Sequence, residues 1–192
     1  DRRQRQMCIR DRARGGDGDD LLVASGSTSN TLMGESGNDT IIGTTNWQSA
    51  SANDRFADHV GGSSDVLDGG DGDDVIRFDL ADTVTGGAGA DQLTGFLQQG
   101  QTATVTDFDR TEDSLRINLD PAECASDYSG ITTAEQDGAT IISLNGQPIL
   151  NIQGQTGLAI GFAHGETFEG NDGTLPMTYT AVSYTHLTLP TI

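Results

Sequence analysis

No lysine occurs anywhere in the 192 residues, and ten arginines face 29 Asp and Glu, for a net charge of −19. A chain this acidic is repelled by phosphate backbones, which argues against nucleic-acid binding. Aromatic residues make up 5% and apolar residues 34%, so a conventional thick core is short of material. No run approaches the ~18 apolar residues that a membrane helix needs. Cysteine occurs twice, at Cys8 and Cys124. What is plentiful is glycine, with 26 residues, well above the usual share. Acidity with few large side chains is one signature of disorder. The other reading is a protein that completes itself with cations.

The two ends differ from the middle. Arg2, Arg3, Arg5, Arg10 and Arg12 place half of the basic residues in the first twelve positions, whereas Val182 to Ile192 carries no charge and no glycine. DRRQRQMCIRDR and VSYTHLTLPTI look like translated sequencing-adapter read-through, so residues 1–12 and 182–192 are expected to be non-native ends and are left out of fold reasoning. A real basic arm and a real tail are the alternative. Removing the five Arg and two Asp of residues 1–12 leaves a charge of −22. Cys8 goes with them, leaving Cys124 without an intramolecular disulfide partner. No secretory signal peptide is visible, and a true terminus is expected to be missing.

The middle repeats with a period of nine. GGDGDDLLV (15–23), GGDGDDVIR (69–77) and GGAGADQLT (86–94) all fit G-G-x-G-x-D-x-U-x, where U is a large apolar residue. This pattern is the sequence signature of a calcium-binding parallel β-helix. Weaker copies lie between them: SGSTSNTLM (25–33), GESGNDTII (34–42), SASANDRFA (49–57), VGGSSDVLD (60–68) and the shortened FDLADTVT (78–85).

The chemistry accounts for the residue types. Glycines at positions 1, 2 and 4 allow positive φ and close backbone approach in a tight turn. Such a turn aims carbonyl oxygens inward, and the Asp at position 6 adds a carboxylate. Calcium takes six to eight hard oxygen ligands in tolerant geometry, which this loop can offer. Positions 7 to 9 form a short strand with residue U facing a narrow interior. Leu22, Leu32, Ile41, Phe56, Leu67, Ile76, Val84 and Leu93 are expected to be that stack. A core this thin leaves much of the stability to metal. The alternative is that the turns are glycine-rich corners whose Asp residues cap backbone N–H groups. Asp17, Asp19, Asp71 and Asp73 fall at variable positions and are read as raising the local negative potential. Trp47 is read as loop packing.

Residues 15–94 resemble the repeats-in-toxin (RTX), hemolysin-type calcium-binding repeats of bacterial exoproteins exported by type I secretion. The resemblance implies an all-β fold: a calcium-binding parallel β-roll (β-solenoid) of about four coils, followed by a β-rich C-terminal cap. The domains then run 13–100 for the roll and 101–181 for the capping and secretion region. In that family successive turns alternate between two sides, and ions sit between same-side turns of neighbouring coils. Counting along the chain would put Asp20, Asp39, Asp65 and Asp82 on one side and Asn30, Asp54, Asp74 and Asp91 on the other. Ions are then implied between Asp20 and Asp39, Asp65 and Asp82, and Asp74 and Asp91. The implied metal-site residues are Gly16, Gly18, Asp20, Gly37, Asp39, Asp65, Gly70, Gly72, Asp74, Asp82, Gly87, Gly89 and Asp91, holding several calcium ions.

Beyond Gly100 the pattern changes. TATVTDFDRTEDSLRINLD (102–120) alternates on either side of an acidic turn and reads as a hairpin. Residues 134–154 hold two β-branched runs joined at Asn145-Gly146, a favoured hairpin dipeptide. TGLAIGFAH (156–164) is a candidate last strand. A β-rich cap here would cover the open end of a solenoid.

Catalytic signals are thin. There is no H-E-x-x-H helix, and His59 and His164 lack a ligand motif. There is no G-x-S-x-G elbow. Cys124 has no evident base beside it. The chain is therefore expected to be non-catalytic: a secreted, extracellular calcium-binding module that folds on Ca²⁺ after type I secretion. Two further readings are a C-terminal fragment of a secreted protease, lipase or polysaccharide-modifying enzyme, and an adhesin element.

Overall fold

The computed structural model describes residues 12–24, 28–44, 61, 63–120, 123 and 129–158 in full, and the backbone of 4–6, 161–163, 167–168, 177–178 and 181–183. Cys8, Trp47, Asp54, Phe56, His59, Cys124 and His164 lie outside the described residues.

The nonapeptide period becomes an alternation between two sheets. The chain runs through β1 (Gln4–Gln6), β2 (Arg12–Asp17), β3 (Leu21–Val23), β4 (Thr31–Ser36) and β5 (Thr40–Ile42). It continues through β6 (Val66–Asp71), β7 (Val75–Phe78), β8 (Thr83–Ala88), β9 (Gln92–Leu97), β10 (Ala103–Val105) and β11 (Ser114–Leu119). Odd-numbered strands up to β11 lie side by side in one sheet, and even-numbered strands up to β10 in the other. Neighbours within this stack are parallel. The result is a parallel β-roll with four coils over β2–β9.

Period-two alternation in each strand sends one apolar residue inward per crossing. Leu22, Ile41, Ile76, Leu93 and Leu115 are in register across the odd sheet. Ala13, Leu32, Leu67, Val84 and Val105 do the same across the even sheet. All ten are buried in one core. The expected apolar stack is thus in place at every described position. Fully burying a Leu or Ile side chain is worth about 1.5–3 kcal/mol, so two such columns hold the sheets together but leave little margin for polar mistakes at the turns.

Two expectations are corrected. The first is the hairpin over 102–120. β10 and β11 sit in different sheets, each parallel to its neighbour, so they form a fifth coil. The segment between them makes a corner of the roll, because Asp113 accepts the Asp91 N–H at 3.0 Å and so ties the corner to the preceding one. The second is the sidedness of the turns. β4 pairs with β6 and β5 with β7 directly, so β6 and β7 form the coil that follows β4 and β5 in the stack. Asp65 consequently falls on the side of Asn30, while Asp74 and Asp91 join Asp20 and Asp39.

The cap begins with β12 (Ile131–Gln136), β13 (Ala139–Leu144) and β14 (Gln147–Ile152), an antiparallel meander whose β14 lies parallel to β10. Its corners are Asp137-Gly138 (φ 52° and 78°) and Asn145-Gly146 (φ 51° and 80°). Positive φ at both central residues is the type I′ pattern, whose twist suits a hairpin. The Asn145-Gly146 hairpin is as the sequence predicts. β15 (Gly161–Ala163) and β18 (Ala181–Ser183) extend the odd sheet through an antiparallel contact of β18 with β11, while β16 (Thr167–Phe168) pairs with β17 (Met177–Thr178). Among the described residues no helix is long and apolar enough to cross a membrane.

Candidate metal centre

Four glycine-rich turns stack along the first side of the roll: 15–20, 34–39, 69–74 and 86–91. Each reverses direction through positive φ at positions 2 and 4, as at Gly70 (108°) and Gly72 (134°). Glu35 is the exception at position 2, with φ 78°, a left-handed conformation that costs a side-chain-bearing residue roughly 1–2 kcal/mol. Its carboxylate accepts from Arg14 at 2.6 Å.

The position-6 aspartates form a ladder. Asp39 Oδ1 accepts the Asp20 N–H at 2.7 Å, Asp74 Oδ1 the Asp39 N–H at 2.7 Å, and Asp91 Oδ1 the Asp74 N–H at 2.9 Å. Their second oxygens have no such use. Oδ2 of Asp39, Asp74 and Asp91 is buried without a hydrogen-bond partner. Each lies against the glycine at position 1 of its own turn, and for Asp39 and Asp74 a carbonyl from the following turn lies there too. A Cβ on Gly34 would collide with both Asp39 Oδ2 and the Gly69 carbonyl oxygen; one on Gly69 would collide with Asp74 Oδ2 and the Gly86 carbonyl. At Gly15 the same two kinds of atom, Gly34 O and Asp20 Oδ2, would lie 2.6 and 2.8 Å from such a Cβ. Three equivalent cradles of carboxylate and carbonyl oxygen therefore recur between neighbouring turns.

A bare buried carboxylate oxygen is costly unless a proton or a cation meets it. The electrostatics reflect this. Burial, reinforced by Asp91, Asp39 and Asp68, pushes the Asp74 carboxyl up to about 6. Burial likewise raises Asp39 and Asp91. The donors are all hard oxygens, which suit calcium rather than a softer transition metal. Among the described residues no three His, Cys, Asp or Glu side chains gather into a metal-binding group. The cradles instead pair a carboxylate with main-chain carbonyls, which calcium accepts as readily.

The second side is built differently. Asp65 Oδ1 accepts from Asn30, through N–H at 2.7 Å and Nδ2 at 3.2 Å. Asp82 spends both oxygens on main-chain donors, Oδ1 on the Asp65 N–H at 2.8 Å and Oδ2 on the Asp79 N–H at 2.9 Å. Burial pushes the Asp82 carboxyl up to about 9 and that of Asp79 to about 7.

Of the sequence-predicted residues, Gly16, Gly18, Asp20, Gly37, Asp39, Gly70, Gly72, Asp74, Gly87, Gly89 and Asp91 meet on the first side. Asp65 and Asp82 meet on the second. Asp39 faces the turn of Asp74, because β5 pairs directly with β7.

Sequence reasoning missed an outer ladder at position 5. Asp19 Oδ1 accepts the Asn38 N–H at 3.0 Å, Asn38 Oδ1 the Asp73 N–H at 2.9 Å, and Asp73 Oδ1 the Ala90 N–H at 2.9 Å. The signal was an Asp or Asn before the motif Asp in three of the four turns. Asp107 was missed as well. Its two oxygens take the Gly86 and Gly87 N–H groups, both at 2.9 Å, and so close the end of the stack.

A family model for the RTX calcium-binding nonapeptide repeat matches four times, over residues 10–28, 25–45, 59–80 and 77–96. No curated protein matches the chain at a significant level.

Proposed function

This is an RTX-type calcium-binding repeat protein whose repeats bind several calcium ions, and from that premise we propose that it acts as a secreted, extracellular module of a bacterial exoprotein, folding on calcium after passage through a type I secretion machinery. The observation that carries this reading is the row of bare, buried aspartate oxygens at Asp39, Asp74 and Asp91. With calcium bound, a divalent charge supplies what those oxygens lack. Asp39 and Asp74 would hold ions together with glycine carbonyls of the following turn, and Asp20 offers the same pair of oxygens beside Gly15.

The charge distribution gives the mechanism its direction. Residues 15–94 carry fifteen acidic groups against Arg55 and Arg77. Where calcium is scarce, this charge opposes compaction. Where it is millimolar, affinities on the order of 10⁻⁴–10⁻³ M, typical of extracellular modules, suffice for loading. The module itself is non-catalytic in this reading, its work being to bind ions and become rigid.

A calcium titration followed by far-ultraviolet circular dichroism tests it. Strand signal is expected to appear at millimolar Ca²⁺, to vanish with chelator, and to respond weakly to Mg²⁺, which demands a stricter octahedron. A spectrum indifferent to calcium would refute the proposal.

A further inference from the structure

The second side of the roll contains an aspartate that the nonapeptide pattern does not provide. The turn entering β8 is one residue short and has no glycine, yet it carries Asp79 three residues before Asp82. Both are 1% exposed, as is Asp65 in the preceding turn. Their oxygens are used unequally. Asp82 is saturated by the N–H groups of Asp65 and Asp79, which fixes it as the residue that shapes the corner. Asp79 Oδ2 accepts the Gly61 N–H at 2.6 Å, tying the two turns together. Asp79 Oδ1 and Asp65 Oδ2 are each buried with no hydrogen-bond partner.

Two such oxygens in adjacent turns cannot both stay charged and bare. Their mutual repulsion in a poorly hydrated corner adds to the desolvation of each. The neutral partner Asn30 lies on the far side of Asp65 and already donates to its other oxygen. Among the described residues no arginine is hydrogen-bonded to any of the three carboxylates. Asp65 is near enough for its charge to add to the upward push that burial gives the Asp79 carboxyl, and a divalent cation between the turns would relieve both.

The family resemblance implies an ion between these two turns, held by Asp65 and Asp82; because both Asp82 oxygens are already used, we propose that Asp79 Oδ1, and not Asp82, is its second carboxylate ligand beside Asp65 Oδ2. Asp79 thus supplies from a side chain what glycine carbonyls supply on the first side. This makes the site one of two carboxylates instead of one, and the substitution explains how a turn without a motif glycine stays in the stack. The inference rests on the calcium-binding reading above and assigns to Asp79 a role that the repeat pattern would give to Asp82.

The test counts ions on the full chain. Equilibrium dialysis with radioactive calcium, at saturation, is compared between the unaltered chain and Asp79→Asn, with the strand signal recorded for both. Asp79→Asn keeps volume and keeps an acceptor for Gly61. It is expected to bind one ion fewer per chain while reaching the same strand signal. An unchanged ion count overturns the proposal. Absence of calcium binding by the unaltered chain would instead refute the calcium-binding reading itself. Should Asp79→Asn not reach the strand signal, the unaltered calcium-saturated chain decides by carbon NMR of the Asp79 carboxyl. A shift that stays at its ionised value from pH 8 to about 5.5 with calcium, but titrates within that window once calcium is removed, supports a cation there. A shift that titrates within that window with calcium present places a proton there and overturns the proposal.

Discussion

Replacing Gly69 by alanine puts one methyl group into the cradle between the third and fourth turns of the first side. Gly69 is not in the left-handed region, so alanine suits its backbone; the obstacle is space alone. The new Cβ would meet Asp74 Oδ2 and the Gly86 carbonyl oxygen, the second of which is main chain and cannot swing away. Overpacking of this kind costs about 1–3 kcal/mol. The same methyl displaces both oxygens of a calcium cradle. An ion present at a hundred times its dissociation constant stabilises the folded state by about 2.7 kcal/mol, so its loss roughly doubles the damage. The assay is urea unfolding by circular dichroism at several calcium concentrations. Each bound ion should contribute about 1.4 kcal/mol of stability per tenfold rise in calcium above its dissociation constant. Gly69→Ala is expected to lower stability and to reduce that slope by one ion. Gly95→Ala is the control, since its Cβ would press on the Phe78 ring at 2.7 Å and meets no carboxylate of the first side. It should lower stability and leave the slope unchanged. A Gly69→Ala chain with the unaltered slope would refute the placement of an ion in that cradle.

Asn38→Ala removes the acceptor of the Asp73 N–H and is expected to cost about 1 kcal/mol and raise the calcium midpoint, while Asn38→Asp preserves it; equal midpoints in calcium-titrated circular dichroism would count against a structural outer ladder. The pH dependence of the metal-free chain has a definite sign. Burial holds the carboxyls of Asp74, Asp79 and Asp82 at about 6, 7 and 9, above their ordinary 3.8. Their contribution to stability is therefore complete below 3.8 and disappears as pH rises through about 6 to 9. A calcium-free, extensively dialysed chain should accordingly show more strand signal at pH 5 than at pH 8, and the reverse order would contradict burial of bare carboxylates. Trimming residues 1–12 and 182–192 takes away the short edge strand β1 and two residues of β18, together with Arg12 of β2. The calcium slope in urea unfolding is expected to survive, and its loss would show that the ends belong to the roll.

Much of the roll was legible because its determinants are local. Glycines at positions 1, 2 and 4, Asp at position 6 and one apolar residue at position 8 specify a turn and a strand without reference to the rest of the chain. Leu22, Ile41, Ile76 and Leu93 are therefore buried, as their place in the repeat predicts. The sides of the turns were not legible, because sidedness is a running count. Counting the weak copy around Asp54 as a turn puts Asp65 on the side of Asp20, whereas the direct pairing of β5 with β7 puts Asp74 there. The corner at 106–113 was misread for another reason. Alternation on both sides of an acidic turn is identical in a hairpin and in a coil, and only the partner strands distinguish them. Asp79 and the position-5 residues escaped because the motif treats their positions as variable. Their roles depend on the N–H groups of neighbouring turns, which a single repeat does not display.

The alternation of sheets also limits how such a chain can change in length. Each nonapeptide carries the backbone from one face of the roll to the other, so the architecture has a parity. Loss or gain of a single repeat in a gene would transfer every later turn to the opposite face, matching Asp74 to Asn30 and breaking both ladders at once. Loss or gain of two would restore the match one coil along. The stretch of sequence between Ile42 and Val66 is longer than one repeat turn, yet β6 pairs with β4 and β7 with β5, so the alternation is kept across it. Growth of the array by whole coils, or by insertions that keep this alternation, is what its geometry allows.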